Sequence, residues 1–343
     1  MHVESLIYLY SASMKPMPQM GDNVMVTHFN SKYLIRGLAM IYSLRTTGFS
    51  APILVVAHDN QSKEYVEQMN FIEVEVILLT ELERRYPELV AAKNGRSLVE
   101  YFYCLSPFVI NFVFDNYPAK RVVYLDADLY FYKSPDPLIN TSGKVNVVVV
   151  AHNYPERFNH LQIYGKYNVG WLQFSRTKIG LDALNWWADA CLSSTSSKLS
   201  SKVYGDQKYL DEFECRFPGI EIRRNLGENL APWNLFGKSL KVSNGLPMVN
   251  NLPLYYFHFS GIRFLRFSAI LGTSHYSYRN KSSWKKAIFD VYLLEINNIS
   301  RKIQRKSPVD TSDTPLKLKI KALVFSDLRF YPFKKNHSKL EPS

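Results

Sequence analysis

The chain has 343 residues, 46% of them hydrophobic, enough for one large α/β domain or two ordinary ones, which excludes a disordered tail protein. Its net charge of +12 is uneven: residues 255–343 carry 17 Lys/Arg against 6 Asp/Glu, so the body is close to neutral and nucleic acid is not the expected partner. No uncharged apolar run approaches the ~20 residues of a bilayer-crossing helix, and Leu6–Tyr10 lacks the flanks of a cleavable leader, so no transmembrane segment and a cytoplasmic location are expected. Cys104, Cys191 and Cys215 lack metal-ligand spacing and read as reduced core thiols.

From Asn23 onward short β-branched runs alternate with helical periodicity, the pattern of a sheet with crossover helices. Val24–Thr27 reads as a strand. The following helix, Tyr33–Thr46, puts Leu34, Leu38, Ile41 and Leu44 on one face, with Asn30 or Ser31 as N-cap and Gly48 as stop. Pro52–Ala57 is a strand, Ser62–Met69 a short helix and Val74–Leu79 a third strand. Ser97 and Glu100 have capping-box spacing at the head of a long apolar helix reaching about Phe114, which makes Glu100 a cap rather than a catalyst. Arg121–Leu125 is a strand that runs into Asp126-Ala127-Asp128. Val145–Ala151 is apolar but for Asn146, close to what a strand covered on both faces would show. Val169–Phe174 (strand), Ile179–Leu192 and Asp206–Phe213 (helices) and Leu254–His258 (strand) complete the α/β series.

An Asp-x-Asp at the end of a strand turns both carboxylates to one face, because strand side chains alternate. The pair repels itself unless a cation sits between, and a hard divalent metal with oxygen ligands, Mn²⁺ or Mg²⁺, suits it. Such a metal stabilises a leaving diphosphate.

The stretch Tyr124-Leu125-Asp126-Ala127-Asp128-Leu129 resembles the metal motif of GT-A glycosyltransferases, close to glycosyltransferase family 8 and the nucleotide-diphospho-sugar transferases. Asn168-Val169-Gly170, Asp206-Gln207 and His258-Phe259-Ser260-Gly261 resemble that family's later motifs in the same order, and Gly205–Asp211 and Ala231–Asn234 look like those of uncharacterised bacterial members. The resemblance implies a mixed, Rossmann-like sheet flanked by helices, with a lead segment (1–22), a GT-A catalytic domain (23–266) and a basic helical C-terminal extension (267–343). It implies that Asp126, Asp128 and His258 hold the metal, that Asp206 and Asn168 bind hydroxyls of the donor sugar, and that Gln207 lies near the anomeric carbon. An amide cannot titrate usefully, so Gln207 would position or stabilise charge, and the family retains anomeric configuration. The implied activity is transfer of a sugar from a nucleotide-sugar donor to a glycan or lipid-linked acceptor of the surface-polysaccharide or lipopolysaccharide type.

Departures accompany the matches. No acidic residue follows the first strand to read the nucleobase: the segment is Thr27-His28-Phe29-Asn30, and Thr27, Phe29 and Tyr33 are the candidates beside the base. The family's late basic residue is replaced by Phe264, so Arg263 is the candidate for the diphosphate. Tyr103 stands where an arginine is expected, and Arg96 or Lys93 would substitute. Trp233 and Asn234, in a breaker-flanked loop, are the acceptor candidates. A sugar nucleotidyltransferase would share the fold but needs a glycine-rich basic loop at 27–37, where only Gly37 stands. A non-catalytic basic binding protein would need basic and aromatic residues interleaved on one element, which the chain lacks.

In the extension, Phe289, Tyr292, Leu293, Ile296, Ile299 and Ile303 form one helical stripe. Two readings follow: packing back on the domain, or peripheral contact with the anionic inner face of the cell membrane, to which Lys285, Lys286, Arg301, Lys302, Arg305, Lys306, Lys317, Lys319 and Lys321 would contribute.

Overall fold

The computed structural model describes residues 21–140, 142–200, 203–265, 268–303 and 314–331. Most of the lead segment, together with Arg305 and Lys306, falls outside them. The parallel half of the sheet comes first: β1 (Asn23–Phe29), α1 (Leu34–Thr46), β2 (Ile53–Ala57), α2 (Asn60–Gln68), β3 (Val74–Leu78), α3 (Leu79–Arg85), α4 (Glu88–Ala92), α5 (Leu98–Asn116) and β4 (Arg121–Leu125). β1 pairs in parallel with β2 and β4, and β2 with β3. β2 is buried along its whole length, which is why it reads as an unbroken apolar run.

The local signals act with small shifts. Neither Asn30 nor Ser31 caps α1. Tyr33 occupies that position, while Asn30 Oδ1 accepts the Lys32 and Tyr33 N–H groups in a turn that aims the helix. Asp59 caps α2, accepting from the Ser62 N–H and hydroxyl and from Ser31 N–H. The Ser97–Glu100 capping box closes in both directions, and Glu100 also accepts Ser197 N–H, so it is a cap. Among the described helices α5 is long and apolar enough to span a bilayer, contrary to expectation. It packs as a core helix, burying Leu105, Phe108, Val109 and Ile110 against β1, β4 and a second long helix, α6 (Lys178–Ser193).

The antiparallel half contains β5 (Leu129–Phe131), β6 (Val147–Ala151), β7 (Tyr167–Ser175), α7 (Phe213–Arg216) and β8 (Ile220–Arg223). β7 runs antiparallel to β4 and β6, giving the order β3-β2-β1-β4-β7-β6-β8. This is the mixed, helix-flanked sheet that the resemblance implies. The helix expected over Asp206–Phe213 is instead a 3-10 turn, Lys208–Glu212, leading into α7, and Asp206 does not cap it. Cys104 and Cys191 are buried free thiols, whereas Cys215 is exposed on α7 and is no core residue.

The remaining elements are β9 (Leu240–Ser243), β10 (Leu246–Val249), β11 (Leu252–Pro253), β12 (Tyr256–His258), β13 (Arg263–Phe264), β14 (Ser268–Ile270), α8 (Ser282–Trp284), α9 (Asp290–Lys302), α10 (Leu316–Val324) and β15 (Leu328–Phe330). β12 pairs antiparallel with β5. The stripe from Phe289 to Ile303 is buried beside α1, and the Tyr292 ring stacks on Phe259 at 3.7 Å. Of the two readings of that stripe, packing back on the domain is the one realised. The core forms two clusters, one on each face of the sheet, and alternate residues of β1 divide between them: Met25 and Phe29 towards α1 and α9, Val24 and Val26 towards α5 and α6.

Candidate functional site

β4 ends at Leu125, and Asp126 N–H donates to Gly170 O on β7 (3.1 Å), so the ladder continues to hold the first carboxylate. Asp128 O accepts Phe259 N–H (2.9 Å), and the β5–β12 register sets His258 opposite Leu129. His258 Nε2 therefore lies 3.0 Å from Asp128 Oδ1 and 3.6 Å from Asp126 Oδ2. One ligand atom from each of the three side chains falls within 4.8 Å of the others. The other ring nitrogen, Nδ1, lies 3.1 Å from Asn168 Oδ1, which also accepts Gly170 N–H. Gly170 is required for this close nesting: a Cβ there would lie 2.6 Å from Asn168 Oδ1 and 2.8 Å from His258 Nδ1.

Charge is matched within the cluster. Burial lowers the His258 pKa, but Asp128 and Asp126 outweigh it and the net shift is upward. Burial pushes Asp126 up to about 6, opposed by His258. Burial also lifts Asp128, yet the charge and hydrogen bond of His258, helped by Arg36, bring it below its ordinary value. Two carboxylates and an imidazole with its far nitrogen tied down form a donor set that fits a divalent cation.

The cluster sits in a cleft of about 480 Å³ at the carboxyl ends of the parallel strands, where open α/β sheets bind ligands. Phe29, Tyr33, Asn168, Asp206, Gln207 and Trp233 also line it. Tyr33 is 46% exposed, whereas Phe29 is buried over Gly37. Asp206 accepts from the Ser106 hydroxyl (2.6 Å), and burial pushes its pKa up to about 7. The Gln207 amide donates to Tyr164 O (2.8 Å). Asn168, expected at a sugar hydroxyl, uses its oxygen on His258 and Gly170 instead.

Apart from Trp233, the remaining candidates lie outside the cleft lining. Thr27 is wholly buried in the sheet. The Arg96 guanidinium donates to the Cys191 and Leu192 carbonyls at the end of α6, where a cation satisfies unpaired helix-end acceptors. Lys93 pairs with Glu83. Arg263 is exposed on β13 outside the lining, although its charge acts on Tyr33. Asn234 is buried, its amide bonded to His152 O, Asn229 O and Ala231 N. Trp233, in the cleft lining, is only 4% exposed, donates to His152 O and meets His258 edge-on at 5.2 Å, so it packs against the cluster's histidine.

Sequence reasoning missed a hydrogen-bonded chain that reaches the cluster. His28 Nδ1 lies 2.9 Å from His58 Nε2, and the Tyr124 hydroxyl lies 3.1 Å from His28 Nε2 and donates to Asp126 Oδ1 (3.0 Å). Burial lowers His28 to about 4 and His58 well below its ordinary value, which favours the neutral imidazole in both. The available signal was position: His28 lies at the end of β1 and His58 directly follows β2.

No protein-family model matches the chain. Two proteins of Bacillus subtilis (strain 168), both uncharacterised, are similar in sequence. YfnF is 26% identical over 246 residues (69% of this chain, 80% of YfnF), and YfnD is 24% identical over 280 residues (80% of this chain, 89% of YfnD). Among solved structures, the galactosyltransferase LgtC in complex with donor and acceptor sugar analogues aligns over 87% of this chain and 99% of its own, with 14% identity and a TM-score of 0.49. The bifunctional WbbM aligns over 90% of this chain and 52% of its own, with 11% identity and a TM-score of 0.49. Both solved proteins are glycosyltransferases. At these identities the likeness concerns the fold alone.

Proposed function

We propose that the chain is a metal-dependent glycosyltransferase that moves a sugar from a nucleotide-diphosphate donor to a glycan or glycolipid acceptor with retention of configuration. The observation that carries this reading is the convergence of Asp126, Asp128 and His258 in the cleft, brought together from two separate pairs of strands. These three residues would hold Mn²⁺ or Mg²⁺, which supplies charge neutralisation for the departing diphosphate.

The chain's own residues do the rest. Asn168 fixes the tautomer and plane of His258, Tyr33 stacks beside the base, and Asp206 hydrogen-bonds the donor sugar. Gln207, tethered to Tyr164, places its amide near the reacting carbon without exchanging a proton. Retention is favoured because Asp206, the lining carboxyl outside the metal group, is engaged by Ser106 rather than aimed as a base towards an acceptor.

Donor hydrolysis across UDP-, GDP- and dTDP-sugars, with Mn²⁺ or Mg²⁺ and with chelator, tests the reading. Turnover on one or more donors that is abolished by chelator is the expected result, and equal turnover with chelator removes the metal from the mechanism. A β-linked product from an α-linked donor, read by NMR, overturns retention.

A further inference from the structure

α10 has an anchored face and a bare one. On the inner side Ala322 is buried, and just beyond the helix the buried Asp327 carboxylate accepts the N–H groups of Gly272, Thr273 and Ser274. β15 then pairs with β14, and Lys321 Nζ donates to His275 O (3.3 Å). The helix is therefore clamped to the body, and its outward face is fixed in direction.

That face is apolar. Leu316, Ile320, Leu323 and Val324 are 72%, 53%, 64% and 57% exposed. At 3.6 residues per turn they fall within an arc of about 100°, and Lys319 borders the arc on one side and Lys317 on the other. Single exposed aliphatics are ordinary, but four on one arc with lysines at both edges have the make-up of a helix lying in a membrane interface, where lysine stems cover apolar surface and their heads meet anionic groups. The charge of the surrounding chain agrees, since residues 255–343 hold 17 Lys/Arg against 6 Asp/Glu.

We infer that α10 seats the protein on an anionic lipid bilayer, with Leu316, Ile320, Leu323 and Val324 entering the interface. The docking moves one helix beyond the stripe of α9, which is consumed in the core. It also places the membrane beside the cleft: the 3-10 turn Thr273–Tyr276, held by Asp327 and Lys321, carries Tyr276 into the cleft wall. The inference goes beyond the glycosyl-transfer reading and does not depend on it.

The test is sedimentation of the full chain with phosphatidylcholine vesicles, with and without phosphatidylglycerol, at low and high salt. The expected result is binding to the phosphatidylglycerol vesicles at low salt and release at high salt. Leu316→Ser/Ile320→Ser/Leu323→Ser should abolish binding while leaving the thermal unfolding midpoint unchanged, and Lys317→Gln/Lys319→Gln should weaken partition about 30-fold. Wild-type protein that stays in the supernatant at low salt overturns the inference. So does equal binding by the triple-serine variant, which would place the contact elsewhere, or a wild-type dimer in solution that this variant dissolves, which would make the crest a protein interface.

Discussion

Two histidine groups share one cleft and behave in opposite ways. His258 is buried and its pKa rises, because Asp128 and Asp126 lie 3.0 and 3.6 Å away. His28 and His58 are also withdrawn from water, but they meet each other and a tyrosine, and their pKa values fall. Burial alone disfavours the charged imidazole in both places, so the neighbour decides the outcome. The same cleft thus holds a ligand matched to cations and a neutral polar wall.

Removing the neighbour should erase the difference. In Asp128→Asn the His258 pKa should drop towards that of His28, as measured by NMR titration of the metal-free protein, and turnover should fall 10³-fold or more, about 4 kcal/mol. The unfolding midpoint should stay near wild type. A large loss of stability would mark Asp128 as structural.

Asp206 is the acidic counterpart of His28: buried, with no cation beside it, and pushed up to about 7 from 3.8. A raised pKa means that the folded protein keeps a proton the unfolded chain has already released. Its contribution to stability is therefore complete below about pH 4 and lost as pH rises through about 7, on the order of 4 kcal/mol. Metal-free wild type should lose stability between about pH 4 and pH 7, and Asp206→Asn should flatten that slope in thermal or denaturant unfolding. Equal slopes would show that another group governs it.

A smaller effect belongs to the residue that makes His258 unlike the other histidines in geometry. Asn168→Ala releases Nδ1 and should weaken Mn²⁺ affinity about 10- to 100-fold by calorimetry, without altering donor affinity in equal proportion. If instead only donor binding weakens, Asn168 contacts the sugar, as the motif resemblance implies.

Much of the fold was legible because its signals are local. The apolar runs of β2 and β6, the capping box at Ser97 and the spacing of Asp126 and Asp128 each act within a few residues. The cluster of Asp126, Asp128 and His258 was legible through motif order. What escaped depends on distant partners. Arg96 looks like a substitute for the arginine missing at Tyr103 until the end of α6 supplies carbonyls for it, and Trp233 looks like an exposed platform until its burial beside His258 and His152 is seen. The stripe of α9 suited either a domain or a bilayer, and only the position of α1 decides between them. His28 and His58 carried no motif, since their pairing exists only once β1 and β2 lie side by side.

The register of β5 against β12 carries a consequence for how the molecule matures. His258 reaches the two aspartates because it pairs with Leu129, and a slip of one residue would turn its side chain to the opposite face. The partners are separated by 129 positions in the chain, so this pairing closes a long loop, a kind of contact that slows assembly. If the cluster takes up a metal as proposed, metal uptake during refolding becomes a gauge of fidelity: it reports completion of this strand pairing, and compact molecules with the strand misaligned would remain silent to it.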